Sequence, residues 1–241
     1  MPPLELSSSA AADLLADGEL EVLGRMRWAS NATFLGRVSA DGVALTVIYK
    51  PRRGERPLWD FPAGTLCQRE VATYEVSSAL GWGLVPETVL RDGPAGEGMV
   101  QRFVDHDPEE HYFTLLEHHA DRFRHFAVLD VLVNNADRKG GHCLRSRPDG
   151  AVVGIDHGLT FHPTWKLRTV IWDFAGERIH PATADEVCRV AQLDPRLRDR
   201  LEPLLSPLEI EAMQARAGEL LSAGKLPEPD PGYHSLPWPL V

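Results

Sequence analysis

Segments with strand character gather before residue 105 and segments with helical periodicity gather after it, an order that points to two lobes of different class. The clearest strand is GVALTVIYKP, residues 42–51. It is β-branched and apolar, it is introduced by Asp41-Gly42, and Lys50 and Pro51 close it. Residues 20–23, 85–91 and 97–104 read as further strands, the last two joined by the turn Asp92-Gly93-Pro94-Ala95-Gly96. Residues 24–37 mix Gly, Ser, Asn and small side chains and read as a loop, as does the Arg/Gly/Pro-rich stretch 52–64. A short helix is expected over 7–17 and a longer one over 65–80, stopped by Gly81 and Gly83.

Beyond a polar, acidic hinge at 105–113 the pattern turns helical. Residues 114–135 carry Phe123, Phe126, Ala127, Asp130, Val131 and Asn134 on one face. A polar loop (136–143), a turn at Pro148-Asp149-Gly150 and a short apolar strand (151–155) follow, then helices over 183–193, 196–204 and 207–223 and a Pro-rich tail. The expectation is an α+β chain of two lobes sharing a cleft, a β-rich one over residues 1–104 and a mainly helical one over 105–241.

The densest polar constellation runs from Asn134 to Leu144, and Ile155-Asp156-His157-Gly158 comes after the next strand. His142 lies five residues and Asp156 nineteen residues beyond Asp137. Phosphoryl transfer needs a carboxylate to orient or deprotonate an acceptor hydroxyl, and ligands to hold a divalent ion on the nucleotide phosphates. A loop Asp, a ligand five residues on and a second Asp after the next strand can supply these. Lys50 at a strand end and Glu70 on the following helix, twenty residues later, suit a lysine that contacts phosphates and a glutamate that holds it. Glu75 is a second candidate partner for Lys50.

The stretch from Asp137-Arg138 through His142 to Ile155-Asp156-His157-Gly158 resembles the catalytic and metal-binding loops of the phosphatidylinositol 3-/4-kinase-like branch of the kinase superfamily. That branch carries Asp-Arg, an Asn five residues after the Asp, and then Ile-Asp-Phe-Gly or similar. The chain as a whole is similar to a small actinobacterial family distantly related to those lipid kinases. The resemblance implies a two-lobed protein-kinase-like fold and use of ATP with Mg²⁺ or Mn²⁺. It makes Asp137 the catalytic-loop aspartate, puts His142 where the metal-binding Asn is expected, and makes Asp156 the main metal ligand. His142 replaces Asn and His157 replaces Phe, and imidazole suits Mn²⁺ and other transition ions more than Mg²⁺.

A glycine-rich phosphate loop is absent. Ser30-Asn31-Ala32-Thr33-Phe34 hold its place, where lipid-kinase relatives use serine-containing loops, with an ordinary turn as the alternative. The adenine is expected at Gln101-Arg102-Phe103-Val104, whose backbone would meet the base edge. Trp165-Lys166-Leu167-Arg168 occupies the segment where kinases recognise substrate, with a plain surface loop as the alternative. Asp173-Phe174-Ala175-Gly176 imitates a metal-binding motif but stands behind Ile171-Trp172 and reads as a helix or packing segment. His118, His119 and His125 lack metal-site spacing.

A formal net charge of −10 argues against nucleic-acid partners and routine work on anionic membranes. Three scattered cysteines give neither a disulfide framework nor a structural zinc site. The N-terminal residues lack a basic region ahead of an apolar run, so a cytoplasmic protein is expected. The leading expectation is an ATP-dependent phosphotransferase acting on a hydroxyl of a protein or a small polar molecule. The alternatives are a nucleotide-binding switch of pseudokinase type, a nucleotidyl transferase, and a metal-dependent phosphohydrolase.

Overall fold

The computed structural model describes residues 6–26 and 31–241. The chain forms two compact units, one of Met1–Val71 and Pro86–Val104, the other of Ala72–Val85 and Asp105–Val241.

The first unit is built on an antiparallel sheet of β1 (Glu19–Arg25), β2 (Phe34–Ala40), β3 (Val43–Pro51), β4 (Thr88–Gly93) and β5 (Gly96–Arg102), in the order β1-β2-β3-β5-β4. Helix α1 (Ser8–Asp17) starts where the Ser7 hydroxyl accepts from Ala10 N. Alternation along β3 sends Val47 and Tyr49 into a core with Leu15, Val38 and Val100. Lys50, between Tyr49 and Pro51, therefore points to the opposite face of the sheet.

The stretch expected as loop over 24–37 is a correction: β1 runs on to Arg25 and β2 begins at Phe34. The misleading residue is Gly36. It is a strand glycine, required because a Cβ there would meet the Glu21 carbonyl at 2.9 Å.

Helix α2 (Leu66–Leu80) belongs to the first unit up to Val71 and to the second from Ala72. Gly81 and Gly83, both at positive φ, follow its end. The second unit continues with α3 (Tyr112–Val133), kinked at His119. Then come the two-stranded β6 (Cys143–Arg145) and β7 (Val152–Gly154), followed by α4 (Pro181–Ala191), α5 (Pro195–Leu201) and α6 (Pro207–Ala223). Each of the last three helices opens on a proline behind a polar cap, His180, Asp194 or Ser206. All six residues expected to share one face of α3 are buried. The loop expected over 136–143 contains a 3-10 turn at Gly140–His142, and β6 opens at its last residue. A three-residue strand is too short to show a period of two.

Candidate functional site

In the first unit, Lys50 Nζ meets Glu70 Oε1 at 2.6 Å, with the glutamate side chain 3% and the lysine 22% exposed. The chain between them is held tightly. The Glu55 carboxylate accepts from the N–H groups of Leu66 (3.1 Å) and Cys67 (2.8 Å), so it caps α2 and puts negative charge at that helix's positive end. Burial, reinforced by Glu55, pushes the Cys67 thiol up to about 12. Arg52 pairs with Glu97 at 2.6 Å, and the Arg69 guanidinium lies over the Phe61 ring.

Asn31 Oδ1 accepts from Arg56 N (3.0 Å) and Ala32 N donates to the Gly54 carbonyl (3.1 Å). A Cβ on Gly54 would come within 2.3 Å of the Ala32 Cβ. Asn31 and Ala32, ahead of β2, are thus latched to the segment after Lys50. Ser30 lies outside the described residues.

On β5, the strand paired with β3, the buried Gln101 side chain donates to Thr88 Oγ1 (2.8 Å), and beyond it the Phe103 N–H donates to the Thr46 carbonyl (2.9 Å). The sheet therefore uses the Gln101 amide and the Phe103 N–H. Phe103 and Val104 are half-buried. Glu75 pairs with Arg200 at 2.8 Å within the second unit, and Glu70 holds Lys50.

In the second unit the polar loop is anchored from beneath. Asp130, on the buried face of α3, and Arg138 form an ion pair with both side chains fully buried, Arg138 Nη2 to Asp130 Oδ1 being 2.9 Å. Such a pair is tolerable only when its remaining lone pairs are satisfied. Asn135 Nδ2 (2.9 Å) and the Thr169 hydroxyl (3.2 Å) also donate to Asp130. Arg138 Nη2 lies 2.7 Å from His157 Nε2, and its guanidinium sits over the Phe126 ring. Arginine has donors alone, so that imidazole nitrogen accepts, and the residue after Asp156 is tied to the residue after Asp137. Asn134 closes α3 in the left-handed conformation. Its amide donates to the His162 and Thr164 carbonyls and its Oδ1 accepts from Lys166 N.

Asp137 and its neighbours stand on this base. Lys139 Nζ lies 3.1 Å from Asp137 Oδ2. Burial raises the Asp137 carboxyl above its ordinary value, Lys139 pulls it down, and the charge of Asp156 pushes it up again. Asp156 adopts φ +60 and keeps half its side chain exposed. His142 Nε2 lies 3.5 Å from Asp156 Oδ2, while its Nδ1 takes a long 3.4 Å contact from Lys139 N.

No cluster of three or more His, Cys, Asp or Glu suited to a metal exists among the described residues. A pair of protein ligands matches an ion that arrives on nucleotide phosphates and takes its other oxygens from them and from water. Asp156 fits that role directly. His142 fits it through Nε2 once the proton there is released, which costs the long Lys139 contact.

Asp130, Arg138, Lys139 and Glu55 did not emerge from the sequence as site residues. The first had a signal, being a carboxylate on an apolar helix face. Asp173, as expected, serves packing: it accepts from the Tyr112 hydroxyl (2.5 Å), and Phe174 is buried under Arg124. His125 packs on Trp82, also within the second unit.

A model of the phosphatidylinositol 3- and 4-kinase family matches residues 82–182, the stretch that contains the Asp137–Asp156 constellation. Protein Rv2133c of Mycobacterium tuberculosis is 44% identical over 94% of both chains. Among solved structures, hydra Fam20 with sugar superposes with TM-score 0.61 at 13% identity, over 92% of this chain and 90% of that one. The Golgi casein kinase with Mn/ADP bound gives TM-score 0.57 at 14% identity, over 92% and 77%. The fold is protein-kinase-like, α+β, and related at a distance to the phosphatidylinositol 3-/4-kinase branch.

Proposed function

The chain belongs to the family of Protein Rv2133c, and from that membership and the kinase-like fold we propose that it is an ATP-dependent phosphotransferase with a hydroxyl acceptor. Lys50 binds nucleotide phosphate oxygens, and Glu70 holds the lysine extended from its strand. Asp156 and His142 hold a divalent ion, Mn²⁺ or Mg²⁺, which when bound neutralises charge on the phosphates. Asp137 orients the acceptor hydroxyl and takes its proton as the oxygen bonds to the γ-phosphorus and ADP leaves. Lys139, paired with Asp137, offers its ammonium to the oxygens of the phosphoryl group in transit. The adenine base is received at the segment from Gln101 to Val104, in which Phe103 and Val104 are half-buried.

The observation that carries this reading is the Lys50–Glu70 pair. A glutamate 3% exposed and 2.6 Å from a strand-end lysine, on a helix capped by Glu55, fixes the lysine in the way a phosphate-contacting lysine requires. The test is ATP labelled at the γ or the α phosphate, incubated with the full chain and Mn²⁺ or Mg²⁺. Transfer of the γ label to the protein or an added acceptor, lost in Asp156→Ala, is expected. Transfer of the α label would mean nucleotidyl transfer instead. ATP binding without transfer would mean a nucleotide-dependent switch, and release of phosphate from monoesters without ATP would mean a hydrolase.

A further inference from the structure

The tail beyond α6 returns to the polar loop of the second unit and bonds to it at several points. Leu240 O accepts from Gly140 N at 2.7 Å, between Asp137 and His142 in sequence. Ser235 O accepts from both Thr169 N (3.1 Å) and Trp172 Nε1 (3.0 Å). His234 O accepts from Arg168 Nε (3.2 Å), whose guanidinium also lies 5.3 Å from the Tyr233 ring centroid. The strand-like stretch so gripped is the one that pairs with the catalytic loop. Arg168 N donates to Asn135 O (2.8 Å), Arg138 N to Arg168 O (2.9 Å) and Val170 N to Arg138 O (3.1 Å). Gly140 has no room to spare, since a Cβ there would lie 3.0 Å from the Phe113 ring and 3.3 Å from Leu240 O.

Asp137 thus sits on a loop clamped on two sides. Buried Asp130 and Arg138 hold it from within, and the tail holds it from without through residues 168–172 and Gly140. The inner clamp is a packed ion pair. The outer one is a set of single hydrogen bonds to carbonyls of a segment whose Leu236 and Trp238 side chains are exposed. Bonds of that kind open at small cost.

We propose that the tail from Tyr233 to Leu240 is a positioning strap: its carbonyls hold Arg168, Thr169, Trp172 and Gly140, and through them keep Asp137 and Lys139 in their working places. This rests on the phosphotransfer reading for its catalytic half. Loosening the strap lowers turnover and leaves nucleotide affinity alone, because Lys50 and Glu70 are held by contacts of the first unit.

The test uses the full chain with Arg168→Lys and Trp172→Phe combined, which removes the Nε–His234 and indole–Ser235 bonds while keeping a cation and an aromatic ring. Trp172→Phe alone serves if the double variant does not fold. Three quantities are read: amide hydrogen exchange at Gly140 and Thr169, the Kd for ATP, and kcat for γ-phosphoryl transfer. Exchange at both amides about tenfold faster, with Kd within twofold and kcat down about tenfold, is the expected result. Unchanged exchange overturns the strap. Faster exchange with unchanged kcat overturns its positioning role, and a fall in ATP affinity in place of kcat does the same. A wild-type chain that transfers no phosphate defeats the phosphotransfer reading and the catalytic half with it, and the exchange measurement still decides whether the strap holds the loop.

Discussion

Burial pushes the Asp137 carboxyl above its ordinary range, and the Lys139 ammonium at 3.1 Å pulls it back. Asp137 accepts a proton only when ionised. A raised value means that the ionised form disappears at a higher pH as acid is added, so the acidic limb of kcat is expected above the usual carboxylate range. Lys139→Met removes the opposing charge, and its limb should move to still higher pH in a kcat–pH profile. A limb that stays in place would remove Asp137 from the base role. Asp137→Asn should lose about 10²–10⁴-fold in kcat with ATP affinity retained. Asp130 makes a different kind of claim. Its partner Arg138 is fully buried, so Asp130→Ala leaves an uncompensated cation and should cost about 3–5 kcal/mol in urea unfolding. Lys50, Glu70, Asp137, His142 and Asp156 were singled out from type and spacing, and the structure pairs Lys50 with Glu70 and sets His142 beside Asp156. The pairing of Arg138 with Asp130 was not legible, because a bond across eight residues and a helix end becomes visible only when both side chains are seen buried.

Helix α2 carries no acidic residue in its own first turn, yet it is capped by a carboxylate from Glu55, eleven residues before Leu66. Capping from outside the helix leaves no trace in the local sequence, where a cap is normally sought immediately before the first turn. Glu55→Ala should lower stability by about 1–2 kcal/mol, measured by denaturant unfolding. Because α2 positions Glu70, the same change should weaken ATP binding more than it slows transfer. The last three helices were legible as elements, but two of them start earlier than expected, at Pro181 and Pro195 rather than 183 and 196, where His180 and Asp194 cap them. Strand β2 was misread because Gly36 imitates a loop residue, and β6 because three residues cannot display alternation. Such elements are defined by their neighbours, through hydrogen bonds that a single segment does not reveal.

Each unit has its own core, and the two differ in size. Leu15, Val38, Val47, Tyr49 and Val100 form the buried centre of the first among the described residues, whereas the second buries a continuous cluster from Ala72 to Leu226. Local stability follows buried apolar contact. Amides of β2 and β3 are therefore expected to exchange faster than those of the last three turns of α3, and equal protection would contradict this. No helix among the described residues is long and apolar enough to cross a membrane. The sequence by itself determined the class of each half, the lysine–glutamate spacing and the order of the loop carboxylates, because these depend on local periodicity, turn chemistry and separation along the chain. The tertiary structure alone decided that Asp130 anchors Arg138, that Glu55 caps α2 and that the tail grips Gly140. Each of these joins groups from separate segments, and a buried charge, an open helix end or a loop N–H takes whichever partner packing brings within hydrogen-bond reach.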